Sequence, residues 1–90
     1  MRMIKVWHCE AWDEYLAWHD HDEAKWSKIN DLIEAIERDP FRGIGQPEPL
    51  KHQSGTWSRR IDQRHRLIYR VRDAGGHRFL DILRCYGHYK

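Results

Sequence analysis

The apolar positions of this chain follow a helical period in its first half and a period of two in its second. Met3, Ile4, Val6 and Trp7 form a short β-rich run that predicts a first strand. Between Glu10 and about His19, Trp12, Tyr15, Leu16 and His19 share one face at helical spacing. A second helix is predicted to run to about Arg38, capped by Asp20 or Asp22, because Trp26, Ile29, Leu32, Ile33 and Ile36 recur at spacings of three and four. Lys28, Asp31, Glu34 and Arg38 fall on its opposite face, and Asp39-Pro40 ends it, since proline pushes the preceding residue out of α geometry. After a connection over residues 41–54, three strands are expected near residues 56–61, 66–72 and 78–86. Asp62 to His65 and Asp73-Ala74-Gly75-Gly76 supply the turns between them.

Strands in sequence joined by short turns pair antiparallel. In the middle one Leu67, Tyr69 and Val71 share a face, and Arg66, Ile68, Arg70 and Arg72 share the other, so one side packs and the other is mostly charged. The same parity lets Arg60 and Arg66 converge across the turn between them. The expected fold is α+β, with two N-terminal helices covering the apolar side of a mainly antiparallel sheet of four to five strands and the cationic side left open. Ninety residues make a single domain over 1–90, with room for one core layer and none for a large internal cofactor pocket.

Charge changes the picture more than composition does. Residues 1–50 hold six Lys/Arg against eleven Asp/Glu, and residues 51–90 hold ten against three, so an overall charge of +2 conceals halves of −5 and +7. Such a cationic half is an electrostatic footprint for phosphate polymers or an acidic partner. No stretch approaches a membrane span, and the first ten residues lack the apolar run of a signal peptide, so a cytoplasmic, membrane-free protein is expected. Cys9 and Cys85 are too few for a disulfide framework and read as small, reduced core residues. His19-Asp20-His21-Asp22-Glu23 lacks the helical spacing of zinc enzymes and reads as a solvated helix junction, so neither a metal nor a cofactor is expected. His65 and His77 fall in turns and need no function, while Trp7, Trp12, Trp18, Trp26 and Trp57 read mainly as core.

The candidate chemistry lies in the connection and at the C-terminus. Pro47 and Pro49 stiffen the segment that presents Glu48. Cleaving RNA without a metal requires a base for the 2'-hydroxyl proton, cations to neutralise the phosphorane and an acid for the leaving 5'-oxygen. Glu48, Arg66 and His88 have the side chains for those roles. Lys51, His52, Arg59 and Arg60 would hold phosphate, and Tyr89 would stack on a base or bond the reacting phosphate. Taken alone, Glu48 reads as readily as a loop carboxylate, Arg59-Arg60 as a solvated strand end and His88 as a terminal surface residue. A noncatalytic RNA- or ribosome-binding module would need only the basic strands and aromatics.

Residues that decide between these readings run through most of the chain. Trp12-Asp13-Glu14-Tyr15-Leu16, Pro40-Phe41-Arg42-Gly43, Pro47-Glu48-Pro49-Leu50-Lys51-His52, Gly55-Thr56-Trp57-Ser58-Arg59-Arg60-Ile61, His65-Arg66-Leu67-Ile68-Tyr69 and Gly87-His88-Tyr89 resemble the YoeB/Txe branch of the RelE-like bacterial toxins. The resemblance implies a RelE-like β-α-α-β-β-β fold. It also implies a ribosome-dependent, metal-independent mRNA endoribonuclease that cuts messages in the A site of the 70S ribosome and inhibits translation. The family's general base, phosphate clamp and general acid match Glu48, Arg66 and His88. A cognate acidic antitoxin of the YefM/Axe kind is implied as partner, and family precedent allows a homodimer. Three departures mark this sequence: residues 52–55 are one residue shorter than the commonest form, Tyr86 stands where Arg is frequent, and Lys90 extends the chain past tyrosine.

Overall fold

A computed structural model describes residues 2–87 of the chain. Strand β1 (Ile4–Trp7) leads into helices α1 (Cys9–His21) and α2 (Glu23–Arg38), followed by the two-residue strand β2 (Glu48–Pro49), β3 (Thr56–Arg60), β4 (Arg66–Ala74) and β5 (His77–Arg84). The five strands form one sheet in the order β1-β5-β4-β3-β2. Only β1 and β5 run parallel, as the helical crossover between β1 and the later strands allows; the other neighbouring pairs are antiparallel. The fifth strand arises inside the expected loop, where Glu48 and Pro49 pair with Ser58 and Trp57.

Helix α2 forms as its pattern predicts. Asp22 caps it, accepting from the Lys25 amide at 3.4 Å, and Ile29, Leu32, Ile33 and Ile36 are all buried. Helix α1 is rotated from the expected face. Ala11 is its one buried residue, Tyr15 and Trp18 pack on the core, and Trp12 and Leu16 are both 43% exposed. The small Ala11 lets α1 approach closely enough for the Cys85 thiol to donate to its carbonyl at 3.4 Å. Trp12 is therefore more surface than core, although its ring still meets Trp7 edge-on at 5.5 Å. Cys9 is likewise exposed at the first turn of α1, whereas Cys85 is buried as expected.

Leu67 and Tyr69 of β4, Leu80 and Ile82 of β5 and Met3 meet the helices in the core. Cross-strand partners point to the same side of a sheet. The opposite side therefore carries Glu48, Ser58, Arg60, Arg66, Ile68, Arg70 and Asp81; Ser58, Arg66, Ile68 and Asp81 are buried there, and Glu48 and Arg60 are exposed. The register of β4 on β5 shifts between Ile68 and Tyr69, leaving Leu83 between the residues paired to them. Such a bulge bends its strand and re-aims the side chains beyond it. In β5 the next side chain is Arg84, whose guanidinium reaches Glu10 and Glu14 on α1.

Candidate functional site

Glu48 and Arg66 meet on that second face. Arg66 opens β4 and sits opposite Arg60, the last residue of β3. Its Nη1 donates to Glu48 Oε1 at 3.1 Å, joining a side chain only 11% exposed to one that is 59% exposed. Two devices hold Glu48 there. Its strand pairs with β3, and beyond Pro49 the Leu50 amide donates to the Thr56 carbonyl at 2.8 Å. The carboxylate thus stands on a short edge strand rather than a free loop.

The C-terminal segment arrives at the same place. The Arg66 amide donates to the Gly87 carbonyl at 3.0 Å, and the Gly87 amide donates to His65 Nδ1 at 2.8 Å. Just upstream, Trp18 Nε1 donates to the Cys85 carbonyl at 2.8 Å and the Cys85 amide donates to Glu14 Oε1 at 2.8 Å. Tyr86, 56% exposed, lies against His65 and Trp18 with ring centroids 4.5 and 5.6 Å apart. His88, Tyr89 and Lys90 lie outside the described residues. Sequence reasoning missed the His65 contact, and the one signal for it was the position of His65 directly before Arg66.

The remaining phosphate-binding candidates separate sharply. Arg60 is exposed, as are Lys51 and His52 in the turn after β2, and Arg60 and Lys51 have no ion-pair partner among the described residues. Arg59 is not available to a phosphate. It is fully buried, with Nε on the Tyr69 hydroxyl at 3.1 Å, Nη1 on the Ile44 carbonyl at 3.1 Å, and Nη2 on the carbonyls of Asp39 and Arg42, both at 2.8 Å. The Tyr69 hydroxyl in turn donates to the Pro40 carbonyl at 2.7 Å. Parity explains the difference: Arg60 shares the face of Ser58, and Arg59 points with Trp57 into the helix side. A guanidinium there has to be fully hydrogen-bonded, and the carbonyls of residues 39–44 supply the acceptors.

The wider basic half is also largely spent on internal partners. Asp81 Oδ2 accepts from Arg70 and Arg72, Arg78 pairs with Asp73, and Arg84 with Glu10 and Glu14. Burial pushes the Asp81 carboxyl up, but the hydrogen bonds and charges of Arg72 and Arg70 outweigh it and hold it below the ordinary carboxylate range. At Cys85 burial and the Glu14 carboxylate push the thiol up to about 12, leaving it a protonated, inert group.

The sequence and the fold recur in known proteins. The model of the YoeB-like toxin of the bacterial type II toxin-antitoxin system matches residues 7–89. The chain belongs to the YoeB-like toxin family. Among YoeB relatives, Toxin YoeB of Escherichia coli is 49% identical over 88 residues, covering 97% of this chain and all of that protein. The solved YoeB/ParE toxin from Agrobacterium tumefaciens superposes with a TM-score of 0.91 at 45% identity, covering 97% of this chain and all of the other. The Staphylococcus aureus YoeB, 35% identical, has been solved as a dimer (TM-score 0.89) and in a heterotetrameric complex with YefM (TM-score 0.84), each covering 99% of this chain and all of the matched chain. The RelE-like architecture expected from the sequence is thus the architecture of this YoeB-family chain, with one short strand added at its edge.

Proposed function

We propose that this toxin is a ribosome-dependent mRNA endoribonuclease that cuts in the A site and inhibits translation in the cytoplasm. The observation that carries this is the contact of an exposed Glu48 carboxylate with the mostly buried Arg66 guanidinium, beside the peptide that leads into His88. Glu48 takes the proton of a 2'-hydroxyl, and the freed oxygen attacks the adjacent phosphorus. Arg66, assisted by Arg60, Lys51 and His52, neutralises the pentacoordinate phosphorane. His88 protonates the departing 5'-oxygen, with Tyr89 stacking on a base or bonding the phosphate. One fragment leaves with a 2',3'-cyclic phosphate and the other with a 5'-hydroxyl.

Resting geometry adds a step to this scheme. Glu48 and substrate phosphate compete for the same Arg66 guanidinium, so a bound phosphate draws Arg66 off the carboxylate and frees it to act as base. Free carboxylates and imidazoles titrate near about 4.3 and 6.5 and are modest catalysts at neutral pH, each contributing roughly a hundred- to ten-thousandfold. Positioning on the ribosome and phosphate neutralisation therefore supply much of the rate. An acidic antitoxin of the YefM kind is the proposed silencing partner and a homodimer the proposed free form, the two states in which the Staphylococcus aureus relative has been solved.

The test maps message 5' ends after programmed ribosomes meet the protein in magnesium-matched controls. Wild type is expected to cut at A-site codons. Glu48→Ala and Arg66→Ala are each expected to lose cutting by about a hundredfold or more while melting as wild type does. Near-normal cutting by both variants would overturn the assignment, and ribosome binding without cutting by wild type would leave the noncatalytic module as the function.

A further inference from the structure

We propose that His65 is a positioning residue whose Nδ1 grips the Gly87 peptide and so sets where the terminal segment meets Arg66. This rests on the proposed role of that segment in RNA cleavage. Both polar groups of Gly87 are taken by consecutive residues: its amide donates to His65 Nδ1 at 2.8 Å and its carbonyl accepts from the Arg66 amide at 3.0 Å. Gly87 itself has φ +88°, a left-handed conformation that glycine adopts without strain.

The ring is itself held from several sides. Trp18 meets it edge-on at 4.9 Å and Tyr86 lies at 4.5 Å. Its backbone is fixed by the turn before β4, where Asp62 Oδ1 accepts from the amides of Arg64 and His65, both at 2.7 Å, and the Ile61 amide donates to the His65 carbonyl at 2.9 Å. Because Nδ1 accepts from a peptide N–H, the neutral ring carries its proton on Nε2. A purely packing role would need the ring and not the acceptor. The gripped peptide is bonded to Arg66, whose side chain meets Glu48, and directly precedes the candidate acid His88 in the chain; at a reacting group a displacement of about 1 Å can cost a hundredfold in rate.

Protonating Nδ1 would remove the acceptor and set two N–H groups against each other. The charged and titratable groups around this contact are Asp62 in the same turn, Lys25 of α2 paired with it at 3.2 Å, Arg64 and Arg66 on either side, Tyr86, and Glu14 of α1 with its partner Arg84.

Two substitutions separate acceptor from ring. His65→Asn places an amide oxygen near the Nδ1 position without a titrating group, and His65→Phe keeps the aromatic packing without an acceptor. Full-length variants are assayed on programmed ribosomes across pH, alongside the 15N resonance and exchange of the Gly87 amide and the imidazole 15N shifts. For His65→Phe, kcat is expected to fall about tenfold or more with KM within about twofold, while His65→Asn stays within about threefold of wild type. The Gly87 amide should exchange faster in the Phe variant and keep its protection in the Asn variant. Wild-type kcat and Gly87 protection in His65→Phe, or an Asn variant as impaired as Phe, would overturn the proposal. Should wild type fail to cut RNA, the cleavage reading falls, and the Gly87 exchange and imidazole shifts still decide the contact.

Discussion

Arg59 and Arg60 are adjacent, identical in chemistry and opposite in fate. Arg60 stays on the opposite face beside Arg66, and Arg59 enters the helix side to bind three loop carbonyls and a hydroxyl. Truncating a group so placed strands its partners, at about 1–3 kcal/mol for each buried acceptor left unsatisfied. Arg59→Leu is therefore expected to lose about 3 kcal/mol or more of a margin that is about 5–15 kcal/mol for a typical domain, and Arg60→Leu within about 0.5 kcal/mol. Urea titrations of the two variants check this; equal midpoints would refute the buried role. The cysteines make a similar pair. With Cys9 exposed and Cys85 buried with its thiol near 12, iodoacetamide on the folded protein at pH 8 is expected to add one carbamidomethyl group, at Cys9. Rapid double labelling would contradict the packing of Cys85 under Ala11.

The segment between α2 and β3 gains its order from β3 and the core. Gly45 has φ +85°, and a Cβ there would lie 2.7 Å from Leu32 Cδ2 and 3.0 Å from Arg59 Cβ. Its carbonyl accepts from the Arg60 amide at 2.6 Å, so the backbone cannot retreat without breaking that bond. Gly45→Ala is expected to cost about 1–3 kcal/mol from overpacking and left-handed strain, read as a lowered melting temperature. Across β4 and β5, Asp81 sets a second constraint. Oδ2 takes both Arg70 and Arg72, while Oδ1 is buried with no hydrogen-bond partner among the described residues. A carboxyl held below its unfolded value adds stability above the ordinary carboxylate range and loses it as pH falls through the depressed folded value. Urea stability of wild type is therefore expected to drop below pH about 4, and Asp81→Asn to be weaker at pH 7 but flatter toward acid. An equally steep acid limb in the variant would assign that limb elsewhere.

At the scale of the whole molecule, the +7 of residues 51–90 overstates what RNA would meet. Arg59 is buried, and Arg66, Arg70, Arg72, Arg78 and Arg84 are paired, which leaves Lys51, Arg60 and Arg64 as cations of that half without an ion-pair partner among the described residues. Binding to single-stranded RNA should thus depend on salt with a log-log slope of about −2 to −3, where ten phosphate contacts would give about −7. Fluorescence anisotropy over a salt series measures it, and a slope near −7 would mean that the internal pairs open on binding. The two helices, the three longer C-terminal strands and the stripe of Ile29, Leu32, Ile33 and Ile36 were legible because local periodicity dictates them. So were Glu48, Arg60 and Arg66, since family motifs name them and strand parity puts Arg60 opposite Arg66. Strand β2 was not legible, because two residues carry no period and pair only when β3 is already in place. The same holds for Arg59 and His65, whose partners lie 10 to 22 residues away along the chain. The sequence by itself determined the candidates for the chemistry, through the family motifs, and the packing stripe of α2, through its period. Only the tertiary structure decided which cations remain free and which ring holds the terminal segment, because hydrogen bonds between distant residues form only once the core has fixed both ends.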